Sequence, residues 1–575
     1  MKKENNLQDF INNLRFSALE VMTQNQEQNG AKALQATPFM YALFRNHFTS
    51  VSDGTAHNLN DHLVVGKNYG GGLLKTFIYA SRLYDEKKFP DVQLPHLNQL
   101  NLPANVHDFN RSEDCDALGF ATGLALGQLK VNSNCFNNHS APKVYCVFGQ
   151  EEVTSGKFYE ILSFAGRQKL SNLICLVDFS GVDATGFFNN HSATDYRNMV
   201  ESMGWKYLAV RDGSSVSDIS KVIQRGQKQS KPVFIEINTI AAHGSSVAGT
   251  YMGWNTNISN EELLLLKERF EYDNQPHELL AWGINELDNL ISNRNQQRHQ
   301  HPLSTNEDSV NTSAKAEFVV DDESSLINLI VNQQAFDVVL LCSSNISNFD
   351  QSLIANQQII TFGGRYLAAP LIAAGIKCFA NQNVLVISDQ TLYSSWKNVA
   401  TNPITKKYAY TTLMIGQDSN SKVDVDREKF NFWYPYDLLS FNQAWMATQP
   451  NQWNMIFYPS DSINKSNYQN KVVSDNQPQL NLFSVALSVD DINLLKAQLS
   501  QKNLVTNFVA LVDWNDLVQQ KIKISNSAPI VIVSPEWLSL YNVQSLPFNN
   551  KKFLVKFNKQ SITSICSQLI EISQK

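Results

Sequence analysis

Short apolar runs recur along this 575-residue chain, and helix-sized segments separate them. Apolar runs of this kind suit strands that are buried on both faces, and their alternation with helices is typical of parallel α/β sheets. The predicted strands are residues 142–149, 173–178, 232–240, 335–342, 384–388, 411–415, 454–458, 482–487, 508–512 and 529–533. Helical spacing at residues 157–169 and 217–227 predicts two of the intervening helices. The pattern therefore predicts three α/β domains in series.

Composition and charge exclude several classes of protein. The net charge is −6 and the aromatic fraction is 10%, so neither a nucleic-acid or anionic-membrane binder nor a disordered chain is expected. The seven cysteines include no C-x-x-C pair, which favours buried thiols over disulfides or a zinc site. Residues 1–15 lack the apolar core of a signal peptide, and no run approaches the ~18–20 apolar residues of a membrane span. We expect a soluble, cytoplasmic protein.

Ordinary catalytic motifs are sparse. The glycine triplet within residues 69–74 lacks the spacing of a dinucleotide-binding loop, and a turn with close packing is the better interpretation. Glu151 and Glu152 follow the predicted strand that ends at Gly149, and ligand sites of α/β sheets often lie at such strand ends. They could bind a cation, although solvated loop carboxylates are more common. These motifs alone indicate only a multidomain α/β protein.

The order of several longer segments is more informative. Residues 61–74 (DHLVVGKNYGGGLL), 143–186 and 361–416 together resemble transketolase, a family of thiamine-diphosphate-dependent enzymes. Residues 361–369 (TFGGRYLAA) are similar to the family's F-G-x-R-E stretch, and residues 482–517 are similar to the start of its C-terminal domain. The resemblance implies a three-domain transketolase-like fold, with two thiamine-diphosphate-type parallel-sheet domains and a C-terminal α/β domain.

The resemblance also implies domain boundaries and an assembly. Residues 1–292 should form the diphosphate-type domain, 293–316 a polar linker, 317–465 the pyrimidine-type domain and 466–575 a shortened C-terminal domain. Transketolases are homodimers with active sites between the subunits. We therefore expect a homodimer or a larger protein assembly.

The family's metal site is altered in this sequence. In transketolases, thiamine diphosphate is held through Mg²⁺ by the aspartate of G-D-G and by a later asparagine. Here the first motif reads Gly149-Gln150-Glu151, Ser180 stands at the asparagine position, and Val182 is the remaining former ligand position. Mg²⁺ prefers hard oxygen ligands that include a carboxylate, whereas Gln150 offers an uncharged carbonyl oxygen. Glu151 could compensate, but it replaces a glycine that lets the backbone approach the diphosphate. We expect no bound metal and no cofactor.

The pyrimidine side of the cofactor site is altered as well. Tyr366 stands where the family has the glutamate that activates the cofactor, and a phenol with a pKa of about 10 is mostly protonated at neutral pH. Val384 and Ile387 align with the aromatic pair that stacks on the pyrimidine. Together with Tyr366 and Trp433, they predict a cleft filled by side chains.

The proton-handling histidines of the family are replaced. The aligned residues are Ala31, Tyr69, Tyr251, Gln417 and Trp433. Imidazole donates and accepts protons near pH 7, and none of these side chains does so readily. The family's glycine-rich G-P-L-G-Q-G segment reads S-E-D-C-D-A at residues 112–117, and the added carboxylates would repel a diphosphate.

Two main hypotheses follow. The first is a transketolase-like pseudoenzyme with a structural, assembly or binding role, whose partners could include an active paralogue or cytoskeletal and motility proteins. The alternative is a divergent active transketolase that transfers a two-carbon ketol unit between sugar phosphates. Such an enzyme would need thiamine diphosphate and Mg²⁺, with Glu151 or Asp178 as metal ligand and Asp418 as a candidate substrate contact. A third interpretation is a regulatory site for a sugar or nucleotide in the remodelled cleft.

Overall fold

The computed structural model describes most of the chain. The described residues are 2–27, 29–50, 60–85, 88–89, 94–132, 142–254, 256–272, 279–299, 330, 336–343, 359–379, 382–415, 423–424, 430–449, 451–458, 478–513, 516, 522, 524–525, 527–535, 538–539, 543, 546–557 and 562–574. The chain divides into two compact units. The first comprises Met1–Asp308, Ala374–Asn381 and Asn402–Ile404, and the second comprises Ser309–Ala373, Gln382–Thr401 and Thr405–Lys575.

The first unit is built on a parallel sheet. Its six strands, among the described residues, lie in the order β2-β1-β3-β4-β8-β7. They are β1 (His62–Val65), β2 (Val106–Asp108), β3 (Val144–Gly149), β4 (Leu173–Phe179), β7 (Lys206–Val210) and β8 (Val233–Asn238), and an antiparallel hairpin of β5 (Val182–Asp183) and β6 (Gly186–Phe187) follows β4. The helices are α1 (Lys2–Gln24), α2 (Lys32–Asn46), α3 (Gly71–Ala80), α4 (Asp116–Asn132), α5 (Gly156–Arg167), α6 (Tyr196–Ser202), α7 (Val216–Gln227), α8 (Tyr251–Trp254), α9 (Asn260–Arg269) and α10 (Ala281–His299).

The apolar runs predicted the central strands of this sheet. Strands β3 and β4 are buried along nearly their whole length, as expected for strands that helices cover on both faces. Strands β1 and β2 are too short to stand out in the sequence. Strand β7 lies at the sheet edge and is only partly buried, so its apolar pattern is weak.

Helix α10 extends into the segment that was predicted to be a linker. Residues 293–299 form its last turns, because its arginines find acceptors in the body of the unit. Arg294 donates hydrogen bonds to three backbone carbonyls at and just beyond the end of α2, at 2.6–2.9 Å. Arg298 pairs with the buried carboxylate of Asp61 at 2.9 Å. The predicted linker therefore begins too early, since these charged side chains bind to the fold rather than to water.

In its described residues, the second unit contains two larger parallel sheets and a third in which Val423–Asp424 pairs in parallel with Leu538–Ser539. Among the described residues the strand orders of the two larger sheets are β10-β9-β11-β12-β15-β14 and β17-β16-β18-β20. The strands are β9 (Val338–Cys342), β10 (Ile359–Thr361), β11 (Val384–Ser388), β12 (Thr411–Ile415), β13 (Val423–Asp424), β14 (Asn431–Trp433), β15 (Asn454–Tyr458), β16 (Leu480–Val485), β17 (Thr506–Leu511), β18 (Ile530–Pro535), β19 (Leu538–Ser539) and β20 (Lys552–Phe557). The helices are α11 (Ala369–Cys378), α12 (Tyr393–Thr401), α13 (Leu438–Ala447), α14 (Val489–Gln501) and α15 (Ile562–Ser573). The predicted α/β class with parallel sheets is confirmed.

Two predictions from composition concern the whole chain. In the part of the chain that the structure describes, the cysteines form no disulfide and nearly all are buried. None of the described helices is both long and apolar enough to cross a membrane. The cysteines behave as buried core residues, as the absence of paired spacings predicted.

Candidate functional site

The predicted metal positions lie at the carboxyl edge of the first sheet. Strand β3 ends at Gly149 and is followed directly by Gln150, while Ser180 and Val182 follow β4. Strands β3 and β4 are parallel neighbours, so these loops leave the sheet side by side. The carboxyl ends of parallel strands are where α/β proteins commonly bind ligands. The structure therefore brings the three predicted positions together.

Gln150 and Ser180 both bond to the backbone carbonyl of Val182. The Gln150 carboxamide donates from Nε2 to the Val182 carbonyl at 2.9 Å and accepts at Oε1 from the Gly181 amide at 2.9 Å. The Ser180 hydroxyl donates to the same Val182 carbonyl at 3.3 Å. Gln150 is buried. One orientation of the carboxamide satisfies both backbone groups, because one of them is a donor and the other an acceptor.

This arrangement does not fit Mg²⁺. The cation needs several oxygen ligands in near-octahedral geometry, usually with a carboxylate among them. The nitrogen of Gln150 faces the Val182 carbonyl, and its oxygen is engaged by the Gly181 amide. Within the described residues, no group of three or more His, Cys, Asp or Glu side chains is placed to hold a metal ion. The side chains of Gln150 and Ser180 bond instead to backbone groups of the loop after β4.

A second cluster, which we call the Tyr69–Asp178 network, lies at the same sheet edge. Tyr69 donates to Asp178 Oδ2 at 2.7 Å, Gln35 donates to the same oxygen at 2.6 Å, and Thr239 donates to Oδ1. Lys32 donates to the Tyr69 hydroxyl at 3.1 Å. Tyr69 and Asp178 are 0% and 1% exposed. The Tyr69–Asp178 network thus fills this edge with mutually satisfied polar groups.

Electrostatics keeps the Tyr69 phenol protonated. Burial raises the pKa of Tyr69 well above its usual value, and the nearby carboxylates of Asp178 and Glu151 raise it further. A neutral phenol is a good donor to Asp178 but a poor proton acceptor near pH 7. Tyr69 therefore serves as a hydrogen-bond donor to Asp178 in this network.

Glu151 covers Gly149. A Cβ atom placed on Gly149 would collide with the Glu151 carboxylate, so that side chain lies directly over the glycine. Asn68 donates to Glu151 Oε1 at 3.3 Å, and Lys32 Nζ lies 4.0 Å from the same oxygen. Glu151 is mostly buried, and the interpretation of a solvated loop carboxylate is wrong for this residue.

Glu152 is enclosed more deeply. Its Oε2 accepts a hydrogen bond from the Cys115 amide at 2.6 Å, and the Cys115 thiol donates to the Glu152 carbonyl at 3.2 Å. Burial and the neighbouring Glu151 carboxylate raise the pKa of Glu152 well above its usual range. The Glu152 side chain therefore connects the segment around residue 115 to the end of β3.

The glycine triplet begins helix α3, and carboxylates occupy its amino end. Asp108 accepts from the Gly71 amide at 2.8 Å, and Glu27 accepts from the Gly72 amide at 2.9 Å. A Cβ on Gly70 would collide with the Asp108 carboxylate, which confirms the predicted close packing. The amino ends of helices attract anions, and at α3 the carboxylates of Asp108 and Glu27 already occupy this position.

The second unit has a comparable cluster, which we call the Tyr366–Asp389 network. Tyr366 donates to Asp389 Oδ2 at 2.7 Å, and Ser343 donates to the same oxygen at 2.9 Å. The backbone amide of Thr391 donates to Oδ1 at 2.9 Å. Asp389 directly follows β11 and Ser343 directly follows β9, so this network also lies at a carboxyl sheet edge. Tyr366 is half-buried.

The other predicted site residues are dispersed. Val384 begins β11 at its amino end, so it does not reach the carboxyl edge where Tyr366 lies, whereas buried Ile387 lies near the carboxyl end of that strand. Ala31 is buried just before α2, Tyr251 begins α8 and is 60% exposed, and Trp433 is a half-buried residue of β14. Gln417 and Asp418 lie outside the described residues.

The sequence comparisons match the amino-terminal part of the chain. The model of the family described as transketolase, thiamine diphosphate binding domain, matches residues 115–320. A transketolase of Staphylococcus aureus is 24% identical over 274 residues, which are 46% of this chain and 41% of that protein. A transketolase of Mycoplasma pneumoniae is 28% identical over 224 residues, 37% of this chain and 34% of that protein. The sequence match thus spans less than half the length of these relatives.

The structural comparisons extend over nearly the whole chain. The transketolase of Campylobacter jejuni superposes with a TM-score of 0.77 at 16% identity, covering 98% of each chain. The transketolase of Leishmania mexicana gives a TM-score of 0.78 at 13% identity, covering 99% of this chain and 97% of that one. The fold is therefore a three-domain fold of the thiamine-diphosphate-dependent type. Together with the sequence matches, it confirms the resemblance to the transketolase family.

Proposed function

We propose that this chain is a transketolase-like pseudoenzyme, which has lost the Mg²⁺ and thiamine diphosphate site and serves a structural, assembly or binding role. The observation that carries the proposal is the position of Glu151 over Gly149. An anionic diphosphate bound at this edge would meet a carboxylate that is mostly buried, where charge repulsion is weakly screened. Asp108 and Glu27 present two more carboxylates at the amino end of α3.

The side chains at former catalytic positions support the same proposal. Tyr69 and Tyr366 both use their hydroxyl groups to donate to an aspartate. General base catalysis needs a group that accepts a proton near the working pH. Neither phenol meets that requirement while it serves as the donor in these bonds.

The alternative of a divergent active enzyme requires a replacement metal ligand. Asp178 was one candidate, and its oxygens accept hydrogen bonds from Tyr69, Gln35 and Thr239. Recruiting it to a cation would leave those buried donors to find new acceptors. The geometry therefore favours the pseudoenzyme, and an active transketolase is the hypothesis to be excluded by experiment.

A partner subunit is part of the proposal. The first unit exposes the large apolar side chains of Phe187, Ile240, Tyr251 and Met252. Exposed apolar surface of this kind is a common feature of subunit interfaces. We propose a homodimer or a larger assembly, in which an active paralogue or cytoskeletal and motility proteins are candidate partners.

Calorimetric titration of thiamine diphosphate with Mg²⁺ into the purified chain tests the proposal. We expect no binding heat, and a mass in solution that corresponds to a dimer or a larger assembly. Tight binding that depends on Mg²⁺ would contradict the loss of the site, and a ketol-transfer assay would then decide whether the chain is an enzyme. A thermal-shift screen with sugars and nucleotides tests the regulatory alternative.

A further inference from the structure

We propose that Gln150 acts as a metal-independent clip, which holds the hairpin after β4 against the carboxyl edge of the first sheet. The proposal deepens the proposed function and rests on it, because it concerns the same former metal position. It assigns Gln150 a positioning role: the hairpin is held by a side chain of the chain itself and keeps its place without a divalent cation.

The hairpin is well defined by its own contacts. Strands β5 and β6 pair through Val182 with Phe187 and Asp183 with Gly186. The Asp183 carboxylate accepts from the Thr185 amide at 2.8 Å and from its hydroxyl at 2.7 Å. These bonds lie within the hairpin, so they do not attach it to the end of β3.

Gln150 supplies an attachment of the appropriate chemistry. The Gly181 amide and the Val182 carbonyl are neighbouring backbone groups of opposite polarity, and the carboxamide bonds to both at 2.9 Å. An ionised aspartate or glutamate in this place could accept from Gly181, but it has no proton to donate to Val182 and would set a negative charge against that carbonyl. The observed pairing therefore requires a carboxamide.

The burial of Gln150 increases the contribution of its two hydrogen bonds to the stability of the hairpin's attachment. Gln150 is 1% exposed, so its two hydrogen bonds are shielded from water in the folded chain. A buried donor or acceptor that is left without a partner destabilises the folded state. The Ser180 hydroxyl contributes only a 3.3 Å hydrogen bond to the Val182 carbonyl and does not contact the Gly181 amide in the bonds that the structure shows. Loss of the Gln150 carboxamide should therefore loosen the hairpin more than loss of the Ser180 hydroxyl.

Hydrogen–deuterium exchange of the full chain, read by mass spectrometry on peptides that cover residues 179–190, tests the clip. In the unmodified chain we expect the same protection in EDTA and in MgCl₂. We expect Gln150→Ala to exchange about tenfold faster in this segment, which corresponds to about 1.4 kcal/mol. Gln150→Glu, which retains an acceptor but loses the donor, should also exchange faster in EDTA.

Matched variants separate the clip from general destabilisation. Ser180→Ala should change exchange about twofold or less, and Gln224→Ala, a change of an exposed glutamine on α7, should leave it unchanged. If Gln150→Ala does not fold, Gln150→Asn provides a shorter carboxamide that cannot span both partners. The comparison of EDTA with MgCl₂ in the unmodified chain needs no variant.

The outcomes distinguish this inference from the proposed function. Hairpin protection that changes with MgCl₂, or exchange in Gln150→Ala equal to that of the unmodified chain, would overturn the clip and leave the calorimetric question unaffected. Tight cofactor binding in calorimetry would overturn the pseudoenzyme proposal. The clip would still stand in that case if protection in EDTA depends on Gln150.

Discussion

The two units each place a tyrosine beside an aspartate at the carboxyl edge of a parallel sheet, but they enclose it differently. Tyr69 and Tyr366 both donate to an aspartate at 2.7 Å. The first pair is fully buried and includes Gln35, Thr239 and Lys32 as further partners. In the second pair the tyrosine is half-buried.

The difference teaches that the same hydrogen bond can have two structural roles. In the first unit the bond is part of a polar core, where a broken contact cannot be replaced by water. In the second unit solvent can reach the tyrosine and replace a lost partner. Burial, rather than the length of the bond, decides how much each network contributes to stability.

Tyr69→Phe should have the largest effect. Removal of the hydroxyl takes one donor from the buried Asp178 carboxylate and leaves Lys32 without that acceptor. We expect the free energy of unfolding of the first unit to fall by about 3 kcal/mol, the upper range for a hydrogen bond to a buried charge. Chemical denaturation followed by a signal from the first unit measures it. A loss below about 1 kcal/mol would mean that the network tolerates water, which removes the contrast between the units.

Glu152→Gln should change the pH dependence of the first unit. The folded-state pKa of Glu152 is raised above its unfolded value, so its contribution is fully present below the unfolded pKa, about 4.5, and is lost as the pH rises through the folded pKa. Glutamine cannot ionise, so the variant should lose less stability than the unmodified chain as the pH rises above about 4.5. Thermal unfolding over a pH series that starts below that value checks it, with Glu261→Gln on the exposed face of α9 as control. Parallel pH profiles for the Glu152 variant and the unmodified chain would contradict the raised pKa of Glu152.

Tyr366→Phe should have the smallest effect. Asp389 keeps Ser343 and the Thr391 amide as donors, and water can replace the lost hydroxyl. We expect a loss of about 1 kcal/mol or less in the unfolding of the second unit, measured under the same conditions as Tyr69→Phe. Equal losses in the two variants would show that burial does not distinguish the networks.

The sequence predicted much of the framework. The runs at 384–388, 411–415 and 454–458 coincide with β11, β12 and β15. The resemblance also grouped Gln150, Ser180 and Val182, because residues just after neighbouring parallel strands emerge at one edge whatever packs around them. Apolar runs and strand order are properties that local sequence specifies well.

The partners of these residues were decided by the tertiary structure alone. Gln35 reaches Asp178 across 143 positions of the chain, and Tyr366 finds Asp389 beyond the following helix. Lys32 and Thr239 had no sequence signal, since a lone lysine at the start of a helix and a threonine after a strand are ordinary. Val384 is an opposite case. The alignment with the family predicted that it lies in the cofactor cleft, but Val384 lies at the amino end of β11, away from the carboxyl edge of the sheet. Periodicity along the chain determines which residues form strands and helices, whereas the contacts of a buried polar side chain depend on how distant elements pack, and no local pattern encodes that packing.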